Sequence, residues 1–433
     1  MLHYGCKVNQ YETNAMEQEF ANKGYTILKP TQKADIYVIN TCTVTNIAER
    51  KSRQMLRRVK QINEDAVLVV CGCYAEVARE ELANINEIDL ILNSKEKKNI
   101  VEIVEKFEKD GQKNTVDEND MVDEFVDFGS VTYTEKNRAV IKVQDGCNMF
   151  CTYCIIPYAR GRIRSRKIDS VVKEITDIAK TGIKEVVITG IHVASYGKDW
   201  DEQGKKQIRL IDLLEEINKI DGIERIRLGS LEPTLITEEF LQRLTKLEKV
   251  CDHFHLSLQS GCDATLKRMN RKYTTSQFKE ITDRLKKAYP EVSLTTDIIV
   301  GFPGETDEEF EKTYKFLKEI NFYKMHVFKY SPRKGTPAAK MINQVDGNIK
   351  EQRSRKLIDL SNKNENIHNK QYIGKDVKGL FEEFDKGYFK GHTANYIVVN
   401  VKGEEKQKNE FVNKIKTVRV LENNTETREL IAE

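Results

Sequence analysis

Between residues 133 and 365 the chain alternates strictly between two kinds of segment, and that alternation limits the folds open to it. Apolar runs at 138–144, 185–189, 224–229, 253–259, 293–300 and 324–330 read as strands. The intervening stretches 169–181, 208–219, 236–247, 274–288 and 306–319 carry helical spacing. Alternating strands and helices predict a parallel sheet with right-handed crossovers. Six units in roughly 200 residues fall short of a complete eight-fold barrel. A partial, open (β/α)6 barrel is therefore expected.

Ligands of such barrels sit at the carboxyl ends of the strands. All six expected strands end in polar or glycine-rich groups. These are the cysteine loop 146–154, Thr189-Gly190, Ser230-Leu231-Glu232-Pro233, Ser257 with Gln259, Asp297 with Gly301, and Tyr330-Ser331-Pro332. In the fourth strand His253, His255, Ser257 and Gln259 alternate with Phe254, Leu256 and Leu258. Period two turns the polar set into the barrel. Buried polar groups are costly unless hydrogen-bonded or ligand-bound. Ser257 and Gln259 are expected at a ligand; His253 and His255, deeper in the strand, are expected in internal hydrogen bonds.

The loop after the first strand holds Cys147, Cys151 and Cys154, spaced Cys-x3-Cys-x2-Cys. Cysteine thiolates are the usual holders of iron–sulfur clusters. Three ligands leave one iron of a cubane open to a small molecule. Structural zinc closes with four protein ligands, and the next His along the chain is His192. With Tyr153 before the last cysteine, the loop resembles the signature of the radical S-adenosylmethionine (SAM) enzymes. That resemblance implies a 4Fe–4S cluster on Cys147, Cys151 and Cys154 whose open iron binds SAM. It also implies SAM contacts from Tyr153, the Thr189-Gly190 turn, the Ser257/Gln259 pair and the Gly301 region.

Residues 1–125 read as a separate open α/β domain, with buried strands at 37–40 and 67–70 and helices at 11–23, 46–60 and 75–84. Cys6, Cys42 and Cys73 each follow a candidate strand, where open sheets bind ligands. Convergence of the three would make a second site; three unrelated buried thiols are the alternative. The stretches Gly5–Glu12, Asn40–Val44 and Gly72–Ala75 resemble the N-terminal domain of the methylthiotransferases. The resemblance implies an auxiliary 4Fe–4S cluster on Cys6, Cys42 and Cys73. Cys71 has no place in that pattern and is expected in the core. Only five residues precede Cys6, fewer than the family's first strand usually has, so that strand is expected to be weak or truncated.

Three further regions bear on partners. The helix at 46–60 carries Arg50, Lys51, Arg53, Arg57, Arg58 and Lys60 against Glu49, and is either a solvated face or a phosphate-contact surface. After the cysteine loop, Arg160, Arg162, Arg164 and Arg166 recur every second residue. An extended backbone would gather them into a cationic ridge beside the open iron, suited to a phosphate-rich substrate or a carboxylate. The stretch 108–132 is acidic and poor in large apolar residues, as a solvated connector is. The tail, 366–433, shows strand patterns at 377–384, 396–401 and 416–421 with glycine turns. It resembles the small RNA-binding β-barrel called TRAM, though its charges nearly balance.

The family chemistry uses two SAM molecules: one methylates a sulfur held at the auxiliary cluster, and the other yields the radical that opens adenine C2 to the methylthio group. Within the family the chain is most similar to enzymes acting on N6-threonylcarbamoyladenosine of tRNA. Sister enzymes acting on isopentenyl-adenosine or a ribosomal-protein aspartate are the first alternative. A non-catalytic iron–sulfur RNA-binding protein is the second, and the strand-end SAM motifs argue against it. The resemblance implies tRNA as partner, an electron donor such as flavodoxin or ferredoxin, and a cytoplasmic site. Composition agrees: 32% charged residues, a net charge of +3 and nine cysteines without an export signal point to reduced thiols used for metal or catalysis. No apolar run approaches a membrane span.

Overall fold

The computed structural model describes residues 1–433 except 4, 30–31, 44–45, 113–122, 134–136 and 202–206; side chains of 46–51 are also outside the description. The first sheet is fully parallel, in the order β1 (Leu2–His3), β2 (Ile36–Thr41), β3 (Val67–Gly72), β4 (Leu90–Ile91). Period two divides its side chains between two cores. Ile39, Leu68 and Val70 pack with Leu56 and Val59 of the Asn46–Ile62 helix. Val38, Val69 and Cys71 pack with Met16, Phe20 and Val104 on the other face. Cys71 is thus a core thiol, its pKa pushed up to about 12 by burial.

The central strands are β5 (Arg138–Asp145), β7 (Glu185–Gly190), β8 (Arg225–Leu228), β9 (His253–His255), β10 (Ser293–Val300) and β11 (Lys324–Lys329), with β6 (Arg164–Ser165) antiparallel on the edge. They form two parallel runs, β5-β7-β8 and β9-β10-β11. Isolated parallel bridges, Ile226 to Val250 and Leu231 to Leu256, join the runs into the six-stranded partial barrel. Five helices follow the expected stretches: Ile168–Lys180, Leu210–Asn218, Glu238–Leu244, Thr275–Ala288 and Asp307–Ile320. Three start where a threonine side chain caps a free backbone N–H: Thr237 to Phe240, Thr274 to Gln277 and Thr306 to Glu309. The fourth strand is shorter than its pattern: regular pairing stops at His255, Leu256 N and Gln259 N still donate to the carbonyls of Thr295 and Asp297, and the chain turns at Gln259, φ +71°.

The helix Gly347–Lys370 then leads to a closed barrel, ordered β12 (Asp376–Asp385), β13 (Tyr388–Thr393), β14 (Val398–Lys402), β16 (Glu429–Ala432), β15 (Lys414–Asn424). Phe381, Phe389, Val399, Val420 and Leu430 fill it. Gly391 lets β13 approach β12 closely, since a Cβ there would stand 2.5 Å from the Leu380 carbonyl oxygen. This barrel docks at the amino ends of the central strands. Arg225 and Arg227 donate to the carbonyls of His392 and Ala394 (2.8 Å each), and Arg138 pairs with Glu382 (2.6 Å). Tyr396 lies against His253, ring centroids 4.8 Å apart.

The connector departs from expectation. Its acidic residues 117, 118 and 120 lie outside the described residues. The rest packs: Phe128 and Val131 are buried against Tyr11 and Ala15, and Asp127 holds Arg166 at 2.9 Å. Arg166, buried inside, supplies the counter-charge that the composition of the connector alone could not reveal. Among the described residues, no helix is long and apolar enough to cross a membrane.

Candidate active site

The loop 146–155 leaves β5 through a turn that only glycine allows. Gly146 has φ +69°, and a Cβ there would stand 1.7 Å from the Arg162 carbonyl oxygen. Cys147 N donates to Gly161 O (3.1 Å), Thr152 N to Met269 O (3.1 Å) and Asn270 Nδ2 to Phe150 O (2.9 Å). The last two bonds pin the loop to Met269 and Asn270, which follow strand four. Cys147 and Cys151 are buried and Cys154 half-buried. Burial pushes the Cys147 thiol up to about 11 and Cys154 up to about 12, and the neighbouring cysteines add to both shifts. Metal binding requires the thiolate. A counter-charge is at hand: Arg271 Nη1 donates to Cys151 Sγ (3.4 Å).

The expected SAM residues gather on this rim. Thr189 and Gly190 end β7 beside the loop, and Gly190 packs on Gln144, where a Cβ would meet the side chain at 2.9 Å. Gln144 is a hub: Nε2 donates to the carbonyls of Asp145 (2.6 Å) and Gly146 (2.7 Å), and Oε1 accepts from His192 N (2.6 Å). Ser257 and Gln259 are half-buried between buried Leu256, Leu258 and Ser260. His253 and His255 both meet Thr295 Oγ1 at 3.0 Å, the internal hydrogen bonding expected of them. Tyr153 packs edge-on to Phe302, beside Gly301. His192 Nε2 and Glu232 Oε1 are buried at this rim without hydrogen-bond partners. Such atoms suit a polar ligand.

The second triad stands at three adjacent strand ends. Thr41 of β2 is level with Gly72 of β3, so Cys42 and Cys73 leave the sheet side by side. Cys6 precedes the Lys7–Asn22 helix, and Gly5 approaches so closely that its Cβ would meet Cys42 Sγ at 2.3 Å. Asn9 Nδ2 donates to Thr41 O (2.9 Å) and fixes that helix to β2. Burial raises the Cys73 thiol, and Arg160, donating from Nε at 3.1 Å, opposes the rise. Among the described residues, no three Cys, His, Asp or Glu side chains are gathered tightly enough for a single metal ion. A cubane spreads its thiolates over separate irons, so a wider triad suits it.

The arginine ridge is not as the sequence suggested. Arg160 ends the short helix Ile156–Arg160 and only Arg164–Ser165 is strand, so the arginines do not share one extended run. Arg160 and Arg164 are 4% and 3% exposed, and Arg162 alone of the three faces solvent. Their acids lie far away in sequence: Arg160 reaches Glu12 (2.7 Å) and Asp145 (3.2 Å), and Arg164 reaches Asp145 (3.7 Å). Arg271, Gln144 and Glu12 were given no role by the sequence. Glu12 sits inside the Gly5–Glu12 stretch; Arg271 follows a six-residue helix and shows no periodic signal. A cleft of the protein is lined by Thr43 and Tyr74, the neighbours of Cys42 and Cys73, and by Ile155, Tyr158 and Arg333, with Ile155 next to Cys154; the six cysteines themselves do not line it. On the Asn46–Ile62 helix, Arg57 and Arg58 are exposed, Lys60 pairs with Asp89, and Arg50 and Lys51 lie outside the described side chains.

The Radical SAM superfamily model matches residues 141–317, and that of the uncharacterized protein family UPF0004 matches 1–93. The threonylcarbamoyladenosine tRNA methylthiotransferase of Bacillus subtilis (strain 168) is 41% identical over 424 residues, covering 96% of this chain and 92% of that protein. The chain belongs to the radical SAM methylthiotransferase family. The tRNA-2-methylthio-N(6)-dimethylallyladenosine synthase of Alkaliphilus oremlandii (strain OhILAs) is 37% identical, covering 97% and 89%. Among solved structures, the radical SAM methyltransferase TsrM of Kitasatospora setae shares the fold at a TM-score of 0.56 and 16% identity, covering 78% of this chain and 74% of that one. As a radical SAM methylthiotransferase, the enzyme uses SAM and iron–sulfur chemistry.

Proposed function

We propose that this enzyme transfers a methylthio group to C2 of N6-threonylcarbamoyladenosine next to the anticodon of tRNA, using two 4Fe–4S clusters and two SAM molecules. The observation that carries the reading is the reach of Arg160. It leaves the chain six residues after Cys154 and hydrogen-bonds Cys73 at 3.1 Å, so the two cysteine loops lie close together. The residues fit the implied groups: Cys147, Cys151 and Cys154 for the SAM-binding cluster, Cys6, Cys42 and Cys73 for the auxiliary one. A guanidinium donates to a sulfur of each triad, and His192 Nε2 and Glu232 Oε1, buried without hydrogen-bond partners, suit the polar end of SAM. When bound, the clusters and SAM supply the radical and the sulfur; the protein aligns them on one base and excludes competing reactions. A loop nucleotide is unstacked and can enter a cleft.

The base assignment rests on relatives named for threonylcarbamoyladenosine at 41%, 40% and 36% identity. The dimethylallyladenosine enzyme at 37% identity supports a second reading. Exposed Arg57 and Arg58 and the tail barrel are the proposed RNA contacts, the electron donor is a flavodoxin or ferredoxin, and the reaction is cytoplasmic, where tRNA is. The test offers reconstituted enzyme three substrates: tRNA bearing threonylcarbamoyladenosine, tRNA bearing isopentenyl-adenosine, and the ribosomal protein. Methylthio product from the first is expected. Product from only the second or third refutes the assignment.

A further inference from the structure

Every nitrogen of the Arg160 guanidinium is used. Nε donates to Cys73 Sγ (3.1 Å), Nη1 to Glu12 Oε1 (2.7 Å) and to both Asp145 oxygens (3.3 and 3.2 Å), and Nη2 to Asn9 Oδ1 (2.8 Å) and Glu12 Oε2 (3.1 Å). Glu12 also holds Lys97 (2.6 Å) and Lys142 (2.7 Å); Asp145 also holds Lys142 (2.6 Å) and Arg164 (3.7 Å). None of these six charged side chains is more than 4% exposed. Among the groups these contacts join, four cations face two carboxylates. Buried charge is costly unless paired. A thiolate-bearing group on Cys6, Cys42 and Cys73 supplies the negative charge that the carboxylates leave over.

We propose that Arg160 is a positioning residue that locks the Cys6/Cys42/Cys73 triad to the SAM barrel and raises the reduction potential of the cluster held there. This rests on the reading that the triad holds a cluster. Hydrogen bonds to cluster sulfurs and nearby positive charge stabilise the more negative, reduced form. The planar five-donor fork of arginine meets a sulfur, an amide oxygen and two carboxylates at once; a lysine ammonium keeps the charge but has three donors from one point. The same side chain spans the interface, joining the Lys7–Asn22 helix to the end of β5.

The test is made in full-length enzyme carrying Cys147→Ala, Cys151→Ala and Cys154→Ala, which leaves the auxiliary triad alone. Reconstitution of this background to about four irons per chain checks the underlying reading first; a background holding no iron refutes that reading independently of Arg160. Arg160→Gln and Arg160→Lys are then added and the cluster followed by EPR during a redox titration. Arg160→Gln should move the midpoint to more negative potential, and Arg160→Lys should recover part of the shift. An unchanged midpoint in Arg160→Gln at full iron content overturns the proposal. If Arg160→Gln does not fold, Arg160→Lys decides: a midpoint equal to the background overturns it, and a more negative one supports it.

Discussion

The Arg271 guanidinium touches Cys151 Sγ at 3.4 Å and is held in place by Glu232, whose Oε2 accepts from its Nη2 at 2.6 Å. The same guanidinium reaches Ser257 O at 2.8 Å. One side chain thus connects the cysteine loop after β5, the turn after β8 and the fourth strand. That coupling explains why the rim is a single structure although its residues span more than a hundred positions.

Removing one partner of a buried ion pair leaves the other charge uncompensated, at a cost of about 3–5 kcal/mol. Arg271→Met is therefore expected to lower stability by about that amount in urea unfolding. Adding Glu232→Gln to Arg271→Met should restore a large part of the loss. A further loss of similar size from the second substitution contradicts the pairing.

Gly146 allows a different kind of break. With φ +69° and a carbonyl oxygen 1.7 Å from any Cβ, alanine cannot be accommodated without moving the cysteine loop. Gly146→Ala should fold cooperatively yet reconstitute to about half the parental iron, because only the barrel triad is disturbed. Full iron content in the folded variant refutes this account of the turn.

His368 gives a pH dependence. It lies between Tyr323 and Tyr372, ring centroids at 4.9 and 5.6 Å, with Ser293 Oγ at 3.3 Å, and burial lowers its pKa to about 4. Its unfolded value is about 6.5. Above that pH both states are neutral; below it the unfolded state takes up a proton that the folded state resists. Stability is therefore lost as pH falls from about 6.5 toward 4, by up to about 3 kcal/mol in total. Urea unfolding of His368→Phe should be flatter than the parent across this window. Parallel curves contradict the buried neutral state.

The sequence was most legible where a periodic pattern and a specific residue coincide. The six central strands and five helices emerge near their expected positions because each strand is an apolar run and each helix has a clear start. The cysteine positions at strand ends were legible for the same reason. The tail was half legible: β12, β14 and β15 were expected, whereas β13, with Gly391 packed close on β12, and the four-residue β16 were not. The Gly347–Lys370 helix was missed, its many polar residues giving no apolar face to read. The arginine ridge failed for another reason. Spacing gives the side an arginine faces only if the backbone is extended, and Glu12 and Asp145, which bury Arg160, are 148 and 15 residues away.

The most direct measurement is nucleoside mass spectrometry of tRNA from cells lacking the gene. The 2-methylthio derivative of N6-threonylcarbamoyladenosine should be absent, with the unmethylthiolated nucleoside accumulating. The intact gene should restore it, and neither Cys42→Ala nor Cys151→Ala should, because each removes one of the two triads. Persistence of that derivative in the deletion strain, or loss of the isopentenyl-adenosine derivative in its place, would contradict the account.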